Sequence, residues 1–112
     1  MIRIDAAYLS AEPLDMRAGF DSVIARVIAA FGSAQPHHAY LFMNRRSGGL
    51  KVLVHDGFGL WLASQRLHRG HFHRLNADEH ASLQLHTEAL NALILGLPWQ
   101  GLMRPSQTLT HY

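Results

Sequence analysis

LKVLVHDGFGLWLASQRLH, residues 50–68, is the stretch that decides the fold. Leu50–His55 has the apolar, β-branched character of a strand, and Asp56-Gly57 follows it at once. Both residues of that dipeptide tolerate positive φ, so it favours the tight turn of a hairpin. Leu60–His68 lies beyond the turn as the returning strand. The neighbours extend this hairpin in both directions. Upstream, Ala39–Asn44 (AYLFMN) is strand-like and is closed by Arg45-Arg46-Ser47-Gly48-Gly49. Downstream, Arg69-Gly70 turns the chain and His71–Leu75 returns as a fourth strand. Connections this short join antiparallel neighbours. The expectation is a four-stranded antiparallel meander.

Helical periodicity flanks the meander. Phe20, Val23, Ile24, Val27, Ile28 and Phe31 recur at helical spacing, and Gly32 follows as a stop. This predicts a helix over 16–31 with Asp15 as its N-cap, its carboxylate accepting first-turn N–H bonds. Gly19 inside such a helix costs about 1 kcal/mol against alanine. Leu90, Leu93, Ile94 and Leu97 form a second stripe, capped by His86 or Thr87 and stopped at Gly96-Leu97-Pro98. Residues 2–9 are weakly strand-like, and 76–82 read as a polar loop. The predicted class is α+β, with the two helices packed on one face of the sheet. Residues 1–103 are expected to form one domain, and 104–112, polar and aperiodic, a flexible tail.

The composition bounds the chemistry. A chain of 112 residues can bury roughly 65% of its unfolded surface in one core. It has no cysteine, which excludes disulfides and thiolate metal sites and fits a cytoplasmic protein. No run of about 18 apolar residues suggests a membrane span, and the first residues lack a signal-peptide core. Formal net charge is only +2, but nine of the ten cations are arginine and nine histidines stand beside them. Between Arg45 and Arg74 the one acid is Asp56. That segment is a local basic block, and an anionic partner is the natural inference.

The block supplies the candidate site. Arg45, Arg46 and Lys51 flank a glycine-rich turn and are placed to hold phosphates of a duplex backbone. Ser47-Gly48-Gly49-Leu50-Lys51 lacks the spacing of a P-loop. If Arg69-Gly70 is a two-residue turn, alternation puts Arg66, His68, His71 and His73 on one face and Leu67 with Phe72 on the other. Arg66, Arg69, Arg74, His71 and His73 then join the DNA-binding candidates. A zinc site there is disfavoured, because two arginines repel a cation and no carboxylate stands near before Asp78. No metal and no cofactor is expected. Asp15 and Asp21 read as helix-start charges rather than metal-binding carboxylates, so no catalytic constellation is expected either. Among the aromatics Phe42, Phe58, Trp61, Phe72 and Trp99, Trp61 is the best candidate for stacking on a base, although core packing suits most of them.

Four motifs in order carry a resemblance. Asp15-Met16-Arg17-Ala18-Gly19-Phe20-Asp21 resembles the opening DMRKGFDGL of one family. Leu50-Lys51-Val52-Leu53 with His55-Asp56-Gly57 and Gly59 resembles its IKVLWWDGxG block. Gln65-Arg66-Leu67 with Arg69-Gly70 and Phe72 resembles KRLxxGxF. Leu85, Leu90, Leu93-Ile94, Gly96-Leu97 and Trp99 resemble LTxxQLxxLLxGIDW. The family is the accessory protein, usually called TnpB, of the IS sixty-six group of bacterial insertion sequences; the RNA-guided nuclease of that name is unrelated. The likeness spans roughly residues 8–100. Departures fall at Gln65, His86 and Leu95, where the family usually has lysine, threonine and an acid.

This resemblance implies a non-catalytic protein needed for transposition, with the transposase of the same element as partner. It assigns no chemistry. Two expectations follow for how such a protein works: contact with DNA through the basic hairpins, or docking of the transposase through an uncovered sheet face or an edge strand. The oligomeric state is open at this level.

Overall fold

The computed structural model describes residues 3–75 and 82–100. In chain order the elements are β1 (Ala6–Ser10), α1 (Phe20–Phe31), β2 (His38–Met43), β3 (Gly49–His55), β4 (Leu60–Arg66), β5 (Ser82–Leu85) and α2 (Thr87–Ile94). The chain is a small α+β domain, but its sheet has five strands and is mixed, in the order β4-β3-β2-β1-β5.

The hairpin predicted from residues 50–68 is present, with Val54 opposite Trp61 and Leu53 opposite Leu62. β2 pairs with β3 antiparallel, also as expected. The departure begins at β1, which runs parallel to β2, with Ala7 beside Ala39 and Leu9 beside Leu41. The intervening α1 makes this possible, because parallel neighbours need a crossover long enough to carry the chain back. β2 accordingly lies in the middle of the sheet, and five consecutive residues, Ala39–Met43, are buried. Unbroken apolar runs of this kind belong to strands covered on both faces.

Both faces are covered here. Leu14, Val23, Val27, Tyr40, Phe42 and Leu53 form one core under α1. Leu9, Leu41, Leu50, Phe72, Leu85, Leu93 and Trp99 lie in the other, with Ala89 and Ala92 of α2. The two helices therefore flank the sheet instead of sharing a face. Strand alternation sends Tyr40 and Phe42 to one layer and Leu41 and Met43 to the other.

His71–Leu75, expected as a fourth meander strand, forms no ladder. Its anchors lead elsewhere. The Phe72 N–H donates to Ser47 O at 2.6 Å, and the Trp99 indole donates to His73 O at 2.6 Å. Phe72 and Leu75 are buried in the α2-side core. Burial of those two side chains draws the segment across the sheet end and away from β4. The fifth strand is β5, antiparallel to β1 with Ala7 opposite Leu85.

α1 starts later than predicted. Gly19 is its N-cap, in extended conformation and without a side-chain cap bond. Asp15 instead closes a turn, its Oδ1 accepting from the Arg17 N–H at 2.8 Å while its carbonyl accepts from Ala18 N–H. α2 begins as expected at His86, whose ring nitrogen accepts from Ala89 N–H, and Gly96 ends it at φ 76°. The expected flexible tail, 104–112, lies outside the described residues. No helix among the described residues is long and apolar enough to cross a membrane.

Candidate nucleic-acid interface

Two loops meet at one end of the sheet. The first is the β2–β3 turn, 44–48. Asn44 braces it from both sides: its Oδ1 accepts from Gly49 N–H at 3.1 Å, and its own N–H donates to Gly49 O. Ser47, buried and at φ 61°, closes the turn by donating its N–H to Asn44 O. Arg45 and Arg46 are exposed at the tip. The second loop is 67–72, beyond β4. It is tied to the first by two backbone bonds, Leu67 N–H to Gly48 O at 3.0 Å and Phe72 N–H to Ser47 O. These bonds bring Arg66, Arg69 and His71, all exposed, to the same end as Arg45 and Arg46.

Not every predicted contact belongs to this surface. Lys51 is only 9% exposed, and its Nζ donates to Ala18 O at 2.9 Å. Its ammonium fastens the segment before α1 to β3. Arg74 is half-buried, and its Nη1 donates to Asn44 O at 2.8 Å, Arg45 O at 3.2 Å and Ser47 Oγ at 2.8 Å. Arg74 therefore builds the platform that carries Arg45. His73 is half-buried, and its carbonyl holds the Trp99 indole. The predicted face of Arg66, His68, His71 and His73 on a hairpin does not form, since no returning strand pairs with β4. Leu67 and Phe72 still share one core, as their spacing suggested.

The electrostatics of this end are one-sided. A groove between the turn and the segment before α1 is lined by Pro13, Leu14, Asp15, Met16, Asn44, Arg45 and Arg46. Its carboxylate, Asp15, is engaged by the Arg17 guanidinium at 2.8 Å. That contact, together with the Arg17 backbone N–H, holds Asp15 well below the usual carboxylate range, at about 2. Among the described residues no hydrogen bond or ion pair engages the side chains of Arg45, Arg46, Arg66 or Arg69; the ion pairs there join Arg3 to Asp5, Arg17 to Asp15 and Arg26 to Glu12. Four guanidiniums unengaged by described residues, three on the two braced loops and Arg66 at the end of β4, can grip an extended anion at several points, with bidentate contact to each phosphate.

The aromatics divide cleanly. Phe42, Phe72 and Trp99 are in the cores. Phe58 is fully exposed and Trp61 is 55% exposed, both at the β3–β4 turn, at the opposite end of β3 from the arginines. Asp56 organises that turn. Its Oδ2 accepts from the Trp61 indole at 2.6 Å, and its Oδ1 accepts from the N–H groups of Phe58 and Gly59. These donors, the indole foremost, lower its pKa to about 2. Among the described residues no three of the histidine, aspartate and glutamate side chains come together as metal ligands.

The sequence reading overlooked the scaffolding roles of Asn44, Ser47 and Lys51. A signal existed for Phe58, since an aromatic between Gly57 and Gly59 at a hairpin tip has little to pack against. A family model described as "IS66 Orf2 like protein" matches residues 5–104. No curated protein and no solved structure matches the chain.

Proposed function

The chain belongs to the IS66 Orf2-like family, and from that premise we propose that it serves transposition of an insertion sequence as a non-catalytic accessory protein, acting with the transposase and holding DNA by its phosphate backbone. The observation that carries the DNA contact is the joining of the two arginine loops through Leu67–Gly48 and Phe72–Ser47. It gathers Arg45, Arg46, Arg66 and Arg69 on one end with their guanidiniums unengaged by described residues. Loops of this kind track a backbone and carry no base-reading geometry, so the contact is sequence-tolerant and salt-sensitive. Sequence choice then rests with the transposase.

The test offers duplex DNA from the element's end and the transposase separately to the protein. Retardation of the duplex at low salt, lost when the four arginines are replaced by alanine in a folded variant, is the expected result. Capture of the transposase from nuclease-treated lysate, with no duplex retardation at any salt, would establish a protein adaptor instead. An adaptor could use the edge strand β4, whose residues are mostly exposed.

A further inference from the structure

β4 is an edge strand whose outer side pairs with nothing among the described residues. Its backbone parity follows from two bonds to the β3 side. Asp56 N–H donates to Gly59 O and Leu67 N–H to Gly48 O, both in the register that sets Val54 opposite Trp61. Residues Gly59, Trp61, Ala63, Gln65 and Leu67 therefore turn their N–H and C=O toward β3. Leu60, Leu62, Ser64 and Arg66 turn theirs outward. Exposed edges are normally blunted by lysine, acids, proline or a bulge. Leu60–Gln65 has no charge and no proline, and its ladder with β3 is continuous.

From this edge we propose that β4 pairs antiparallel with β4 of a second copy, about a two-fold axis at Leu62, joining two five-stranded sheets into one. The side chains select both the occupant and the axis. With the axis at Leu62, each Leu62 meets its counterpart, Leu60 stands opposite Ser64, and Trp61 stands opposite Ala63. No like charges face each other. Arg66 of each copy comes level with Phe58 of the other, giving the fully exposed ring a guanidinium to stack on. Moving the axis to Ala63 sets Arg66 against Leu60 and leaves Phe58 unmatched. Moving it to Trp61 cuts the overlap of the strands to Leu60–Leu62. A two-fold interface of this kind is isologous and closed, so assembly stops at the dimer.

The absence of native cysteine allows a direct test. Opposed residues of a hydrogen-bonded antiparallel pair lie about 5.5 Å apart at Cα, inside the range for a disulfide. Among single variants Trp61→Cys, Leu62→Cys, Ala63→Cys and Ser64→Cys, mild oxidation is expected to cross-link Leu62→Cys fastest. Sedimentation of the wild type is expected to show a dimer. Ser64→Pro removes an outward N–H that β3 does not use, so it should leave the circular dichroism unchanged and yield a monomer. A wild type that sediments as a monomer at high micromolar concentration would overturn the proposal. So would a dimer that survives Ser64→Pro, or one that pairs only after another protein is added.

Discussion

Arg74 reaches back to Ser47, its Nη1 2.8 Å from the hydroxyl oxygen, and so locks the loop after β4 onto the turn between β2 and β3. Two carbonyls of the same turn, of Asn44 and Arg45, accept from that nitrogen as well. Arg74 is thus a positioning residue for the arginines beside it.

Replacing Arg74 by alanine removes a donor from all three acceptors, of which Asn44 O keeps the Ser47 N–H, and should cost about 1–3 kcal/mol of stability. Duplex affinity should fall through loss of loop alignment, while the salt dependence of the residual binding stays close to that of the wild type. Thermal unfolding together with a salt titration of binding checks both. A variant as stable as the wild type whose salt dependence drops by one phosphate contact would make Arg74 a direct DNA ligand.

Lys51 should behave as a structural cation. Lys51→Ala removes the bond to Ala18 O and the packing of a buried stem, a loss of about 1–2 kcal/mol. Differential scanning calorimetry should show a Tm lower by several degrees. The salt slope of DNA binding should be unchanged, because the ammonium never reaches the surface.

The Asp56 turn predicts a pH dependence with a definite sign. Its carboxyl titrates at about 2 in the folded chain, below its ordinary value of 3.8. A depressed folded value means that the carboxylate stabilises the fold above the unfolded value and that this contribution is lost as pH falls through the folded one. Stability of the wild type should therefore decline between about pH 4 and pH 2 more steeply than that of Asp56→Asn, as followed by urea unfolding at each pH. Trp61→Phe, which removes the indole donor, should move the Asp56 titration up toward its ordinary value in carboxyl-detected NMR.

Much of this architecture was legible from single residues, and the failures have specific causes. Asp56-Gly57 announced the β3–β4 hairpin because turn chemistry is local. The apolar stripe of α1 and the Gly96 stop of α2 were legible for the same reason. The parallel pairing of β1 with β2 was hidden because it depends on where α1 deposits the chain, which periodicity does not encode. Met16 also misled, since it resembles a first-turn residue but belongs to a turn that packs on β3: a Cβ added at Gly49 would come within 2.7 Å of its Sδ. β5 is four residues long and follows a polar run, so no alternation was visible. The strand expected over His71–Leu75 failed because two buried side chains and the bond to Ser47 outweighed continuation of a hairpin.

The candidate site was legible as composition but not as geometry. Arg45, Arg46, Arg66 and Arg69, clustered in the sequence, do come together at one end of the sheet. Burial set Lys51 and Arg74 apart as framework. Nothing in the spacing distinguishes a lysine that reaches a carbonyl 33 residues away from one that reaches solvent.

The most direct test of the central claim is the slope of log Kd against log salt for duplex DNA. The comparison is between the wild type and the Arg45→Ala/Arg46→Ala variant. Four phosphate contacts predict a slope magnitude of about 3.6, or roughly a 100-fold loss of affinity between about 50 and 200 mM salt. The double variant should keep its Tm and lose about half of that slope. No binding by the wild type at low salt, or a slope that the double variant leaves intact, would contradict the account.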